Sequence, residues 1–142
     1  MPQLREVEEA KALMAEATEW SVMKWLREKK SVRKTADRAN AALDELSKRT
    51  KLLWPEELRA AYAALENHAA GSDPKTLNAA KQVKRADEEA LRARMDAENT
   101  FDEAERQLSA RMAREGCRKA IDSWELHEKA IRLAERLIPP QR

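Results

Sequence analysis

The positions of the helix-breaking residues constrain this fold more than any other feature. The chain has only two glycines and five prolines in 142 residues. The segment Gly71-Ser72-Asp73-Pro74 lies at the midpoint and combines a glycine that can end a helix, an N-cap aspartate and a proline suited to a first helical turn. Pro139-Pro140 ends the last predicted helix. The pattern predicts two helical arms, over residues 3–70 and 75–138, joined by a turn at residues 71–74.

Composition agrees with a helical chain. Charged residues make up 38% of the sequence, with 28 Lys and Arg against 26 Asp and Glu, and Ala, Glu, Lys, Leu and Arg dominate, as in long helices and coiled coils. A β-rich fold, a glycine-loop nucleotide fold and a disulfide scaffold are excluded. The sequence predicts one all-α domain over residues 1–142, a long antiparallel helical hairpin or coiled-coil-like bundle.

Two further interruptions are expected within the arms. Trp54-Pro55-Glu56-Glu57 indicates a new helix start, because proline followed by two acidic residues suits a first turn. In the second arm the apolar heptad pattern shifts by five residues between Met112 and Cys117, on either side of Gly116. We therefore predict helix breaks near Pro55 and near Gly116.

The helices predicted near the two ends of the chain carry large apolar residues on more than one face. A helix in a simple hairpin buries only one apolar stripe. A hairpin would place Trp20 opposite Trp124. Two arrangements remain open: two hairpins dimerise through this end, which we favour, or the chain breaks near Lys30-Ser31 and closes as a three- or four-helix monomer. The tryptophans are accordingly either core anchors or part of a protein interface. The candidate interface residues are Trp20, Met23, Trp25, Leu26, Trp124, Leu126 and Leu133.

A basic stretch is the clearest polar feature. Seven Lys and Arg stand against two acidic residues in positions 24–38, and four of these cations share one helical face, opposite the apolar stripe. A hairpin would bring a second basic segment alongside. Such a surface is either a solvated helix face or a binding site for an acidic protein or a phosphate backbone. The candidate residues are Arg27, Lys30, Lys34, Arg38, Arg111, Arg114 and Arg118.

The residues usual in catalysis and metal binding form no motif. The two histidines, His68 and His127, lie far apart in a hairpin, and neither belongs to a Glu-x-x-His pair. Cys117 has no identifiable catalytic partner and is expected in the core rather than as a redox sensor. The sequence predicts no enzyme, no cofactor, no metal and no small-molecule substrate. It shows no secretory signal or membrane span, so a cytoplasmic protein without membrane contact is expected.

These observations favour a non-catalytic helical interaction module, such as an adaptor, scaffold or regulatory subunit, with a second copy or another helical protein as its partner. The alternative is a nucleic-acid-binding protein that contacts phosphates through the basic helical face. No helix-turn-helix, zinc or RNA-binding motif accompanies that face.

Overall fold

The computed structural model describes residues 4–67 and 73–140. These residues form five helices and no strand, which confirms the all-α class. The helices are α1 (Arg5–Ala17), α2 (Val22–Leu52), α3 (Glu56–Glu66), α4 (Pro74–Gln107) and α5 (Ala110–Glu135).

Local sequence explains where three of these helices begin. The side chains of Ser21, Asp73 and Ser109 each accept a hydrogen bond from the backbone N–H three residues ahead, at Lys24, Thr76 and Met112. Such caps satisfy N–H groups that the first turn leaves without partners. Asp73 and Pro74 therefore start α4 as predicted, whereas Gly71, Ser72 and His68 lie outside the described residues.

Helix α5 is the centre of the bundle. It packs against α4, α2 and α1, while α1 also packs on α2, and α3 packs on α4. Small residues make up much of its buried surface and allow its neighbours to approach closely. They are Ala113, Gly116, Cys117, Ala120, Ser123, Ala130 and Ala134.

Three ion pairs between α2 and α4 show the direction of one helix relative to the other. Arg33 pairs with Asp102, Asp44 with Arg94, and Lys51 with Asp87. Residues that come later in α2 pair with residues that come earlier in α4, so the two helices are antiparallel. One core cluster joins α1, α2, α4 and α5, and a second, around Trp54, joins α3 to the start of α4 and the end of α5.

The helices do not form two continuous arms. The break near Pro55 is confirmed, because α2 ends at Leu52 and α3 begins at Glu56. A further break, which the sequence pattern did not suggest, separates α1 from α2 and lets α1 pack on both α2 and α5. The chain is continuous helix through Lys30-Ser31, so the break suggested there is wrong.

The break predicted near Gly116 is also wrong. Helix α5 runs through Gly116, and the interruption lies earlier, at Leu108 and Ser109, where Leu108 adopts left-handed backbone angles (φ 51°, ψ 43°). Gly116 instead permits close packing, because a Cβ built there would lie 2.9 Å from a ring carbon of Phe101. The shift in apolar phase between Met112 and Cys117 therefore occurs within one continuous helix.

Replacing Gly116 by alanine tests this packing. Alanine is favoured over glycine inside a helix by about 1 kcal/mol, but the Phe101 ring has little room to move, since it stacks on Trp25 with centroids 6.1 Å apart. We expect Gly116→Ala to lower the free energy of unfolding by about 1–3 kcal/mol, the usual range for an overpacked core. Urea denaturation followed by circular dichroism measures it.

The double variant Gly116→Ala/Phe101→Leu provides the control. Its loss of unfolding free energy is expected to be smaller than the summed losses of the two single variants, because leucine leaves the space that the methyl group needs. A stabilised Gly116→Ala protein would contradict the close approach of α4 and α5.

Candidate functional site

The structure buries the three tryptophans that the sequence analysis offered as interface residues. Trp20, Trp25 and Trp124 are 7%, 4% and 1% exposed, all within one chain. Trp25 lies between Trp20 and Phe101, with ring centroids 6.4 Å and 6.1 Å away. Core packing thus accounts for these rings without a partner, as in the alternative that treats them as anchors.

Trp20 and Trp124 do not meet as a two-arm hairpin would require. The Trp20 backbone carbonyl accepts a hydrogen bond from Arg114 instead, and the Trp124 indole N–H donates to Asn40. Among the other candidate interface residues, Leu26, Leu126 and Leu133 are half-buried, and only Met23, at 69%, is largely exposed.

The basic face of α2 is available to solvent. We call Arg27, Lys30, Lys34 and Arg38 the basic ridge. All four are exposed, and none takes part in an ion pair within the part of the chain that the structure describes. The ridge lies opposite the buried stripe of α2, so it projects away from the bundle.

The second basic segment does not extend this ridge. Arg114 is directed into the bundle, where it bonds the Trp20 carbonyl. Arg111 and Arg118 are exposed, but they lie on the outer side of α5, whereas the ridge lies on the outer side of α2. Because α2 and α5 pack against each other, these outer sides face in different directions.

A polar groove that the sequence analysis did not propose lies between α2, α3 and α4. It has a volume of about 460 Å³, and its lining includes Asp44, Lys51, Tyr62, Asp87, Arg94 and His127. Arg94 donates two hydrogen bonds, of 3.0 and 2.8 Å, to the Asp44 carboxylate, and its side chain is only 14% exposed.

The contact between Arg94 and His127 determines which ring nitrogen of the histidine carries the proton. An Arg94 Nη atom lies 3.0 Å from His127 Nδ1. A guanidinium can only donate, so Nδ1 must accept and the ring proton belongs on Nε2. Burial lowers the pKa of His127, and the positive charge of Arg94 lowers it further, against a smaller opposing effect of Asp44.

The other half of the groove holds a second set of paired groups. Tyr62 donates its hydroxyl proton to Asp87, which also accepts from Lys51. The Lys51 ammonium lies 4.6 Å from the centre of the Tyr62 ring. Burial and the hydrogen bond to Asp87 raise the pKa of Tyr62, so the phenol stays neutral and its ring is held in place.

The remaining titratable candidates do not join this groove. Cys117 is fully buried in the core, and that burial raises its pKa to about 12. In residues 4–67 and 73–140, no group of three or more His, Cys, Asp or Glu side chains is placed to hold a metal ion. None of the helices described there has the length and apolar character of a membrane span.

Two residues of the groove stand out in the sequence alone. Asp87 and Arg94 occupy heptad positions where an apolar residue is expected, and in the structure they pair with side chains of α2. The partners Asp44 and Lys51 carry no such signal, because charged residues are common everywhere along this chain. Only the tertiary structure, in which α2 and α4 both pack against α5 and reach each other through side chains, shows which of them are used.

Comparison with known proteins gives no functional assignment. No known protein family, curated protein or solved structure matches the chain.

The buried histidine predicts a pH dependence of stability. The pKa of His127 is lowered from 6.5 on folding, so the unfolded chain takes up a proton at a pH where the folded chain does not. The stabilisation is complete above about pH 6.5 and is lost as the pH falls below it. We expect the free energy of unfolding, from urea titrations, to fall between pH 7.5 and 5.5.

The matched variant is His127→Gln, which retains an acceptor for Arg94 but does not titrate. Its stability should fall less than that of the parent protein over the same interval, because other titrating groups are common to both. Parallel pH profiles for the two proteins would show that His127 is not held neutral by burial and Arg94.

Proposed function

We propose that the protein is a non-catalytic helical interaction module that self-associates through one end of its bundle. The observation that carries the proposal is a set of large apolar side chains left exposed there. Val22, Met23 and Leu108 are 46%, 69% and 62% exposed. We call these three residues the apolar end. Most of the buried polar groups of the groove support a non-catalytic role, since they are bonded to one another in two sets, Arg94 with Asp44 and His127, and Asp87 with Lys51 and Tyr62.

The three side chains belong to one end of the molecule. Val22 and Met23 open α2, and Leu108 lies in the connection from α4 to α5. The stacking of Trp25 on Phe101 and the hydrogen bond from Arg114 to Trp20 hold these segments together.

Leu108 gives the most specific support. Left-handed backbone angles cost an ordinary L-residue about 1–2 kcal/mol, and glycine or asparagine is the usual choice there. The folded monomer gains little from an exposed leucine at this position. A contact outside the monomer gives its side chain a role.

A second copy of the chain is the partner that fits this end. In a two-fold dimer the same patch is buried on both copies, so one surface is sufficient. Glu19 and Arg111, both exposed at this end, offer charges of opposite sign around it. Three side chains supply less than the roughly 800 Å² per partner of a standard interface. We therefore expect a weak dimer, with a Kd on the order of 10–100 μM.

The variant Met23→Gln/Leu108→Gly tests self-association without harming the fold. Glycine at position 108 relieves the backbone strain, so the free energy of unfolding should stay the same or rise by up to about 1 kcal/mol. The dimer Kd, from sedimentation over 1–500 μM protein, should increase at least tenfold.

Leu91→Gln/Met95→Gln is the matched control, since these residues of α4 are 51% and 54% exposed but lie outside the apolar end. It should leave the dimer unchanged. A parent protein that is monomeric at every concentration, or a control that weakens the dimer equally, would refute the proposal.

A second candidate function is binding to a nucleic-acid backbone, favoured by the pairing pattern of α2. Lys24, Arg33, Arg49 and Lys51 of this helix each pair with an acidic residue. Within the described ranges the basic ridge forms no ion pair, and neither do Lys29 and Lys48, but only the ridge places four exposed cations on one face. From Arg27 to Arg38 the ridge extends about 16 Å at 1.5 Å per residue. Four cations in this row suit phosphate contacts without base readout.

Replacing the four ridge residues by glutamine tests this candidate. Fluorescence anisotropy with unrelated DNA and RNA 30-mers between 50 and 200 mM salt should show weak, sequence-independent binding for the parent protein. A plot of the logarithm of the binding constant against the logarithm of the salt concentration should be less steep for the variant, by about 0.7–0.9 for each phosphate contact removed. Its stability should change little, because exposed charges contribute about 0–1 kcal/mol.

A control variant with Arg85, Arg92, Lys129 and Arg136 changed to glutamine has the same net charge but keeps the ridge. Equal losses in both variants would indicate a general charge effect, and no binding at 50 mM salt would eliminate this candidate.

A further inference from the structure

A second pocket lies at the bend between α2 and α3, about 45 Å along α2 from the apolar end at 1.5 Å per residue. Its volume is about 210 Å³. Its lining combines apolar and aromatic residues with charged ones. The former are Leu52, Trp54, Tyr62 and Ala63, and the latter are Lys48, Lys51, Arg59 and Glu66.

The bend itself creates this pocket. Pro55 has no N–H to continue α2, so the chain turns and α3 starts at Glu56. The Trp54 indole N–H donates to the Ala134 carbonyl at 2.7 Å and ties the bend to the end of α5. The indole is therefore held as a floor between the two helices.

The side chains that form the walls of the pocket are also held by contacts within the protein. The Tyr62 hydroxyl is held by Asp87, and its ring lies 5.8 Å from that of Trp54. Lys51 is paired with the same Asp87. A ligand would thus meet the half-buried Tyr62 ring and the small part of Trp54 that is exposed, 3%, and would lose little free energy in ordering these side chains.

The charges left at the rim are mainly positive. Lys48 is exposed and forms no ion pair within the described ranges. Among the residues that the structure describes, Arg59 forms an ion pair with Glu56 alone, at 3.4 Å and with a carboxylate that is 89% exposed, and such a pair is weak in water. Glu66 is the opposing charge of the lining.

We propose that this pocket binds a small amphipathic monoanion, an aromatic carboxylate whose ring lies against Trp54, Leu52 and Ala63 and whose charge is held by Lys48 and Arg59. Pockets for drug-sized ligands occupy about 300–1,000 Å³. A pocket of about 210 Å³ therefore suits one or two fused rings with a short acidic substituent.

Titration with 1-naphthylacetate, followed by backbone NMR shifts, tests the proposal. We expect saturable shifts confined to residues 48–66 and the facing turns of α4 and α5. Lys48→Glu should raise the Kd at least tenfold by reversing the charge beside the carboxylate. The neutral analogue 1-naphthylacetamide should bind the parent protein at least tenfold more weakly than the acid.

Lys34→Glu is the matched control, because Lys34 is also an exposed lysine of α2 but lies about 21 Å away along the helix. It should leave the Kd unchanged. The proposal is overturned by an absence of saturable shifts up to 10 mM, by equal losses in the two lysine variants, or by equal binding of acid and amide. These outcomes do not depend on the apolar end, so failure of the dimer proposal is distinguished from failure of this one.

Discussion

The packing of α5 against three neighbours is the constraint on which the rest of this structure depends. Gly116 lies against the Phe101 ring, and Phe101 in turn stacks on Trp25 of α2. Small residues along α5 bring α4, α2 and α1 close enough for their larger side chains to fill the remaining space. Helix α1 folds back and covers the part of α5 that α4 and α2 do not contact, packing on both α2 and α5.

This central packing also explains the polar groove. Helices α2 and α4 are brought together over the floor that α5 provides, and His127 of α5 is buried beneath their contact. A buried imidazole needs a partner, and Arg94 supplies a donor while Asp44 neutralises the guanidinium. Internal hydrogen bonds offset most of the cost of desolvating this network, although the Arg94 Nε atom is buried without a hydrogen-bond partner.

The exposed features are spread along the molecule rather than concentrated in one place. The apolar end lies where α1 meets α2 and α4 meets α5, the basic ridge follows the outer face of α2, and the small apolar pocket lies at the bend to α3. Each arises from a residue that interrupts or ends a helix, or from a helix face that has no neighbour.

The sequence by itself determined the helical class, the break at Pro55, the start of α4 at Asp73-Pro74 and the exposed position of Arg27, Lys30, Lys34 and Arg38 on α2. These follow from backbone chemistry and from periodicity within a single helix, which require no knowledge of neighbours. Caps and prolines act over a few residues, so their effects can be read locally.

Only the tertiary structure decided which helix faces meet. The role of Gly116, the burial of the tryptophans in one chain and the pairing of Arg94 with Asp44 and His127 depend on contacts between residues distant in sequence. Alanine and alternating charges are compatible with several pairings, so heptad spacing did not distinguish a two-arm hairpin from a bundle around α5. The tertiary contacts made that distinction, because close approach at Gly116 places a long helix at the centre.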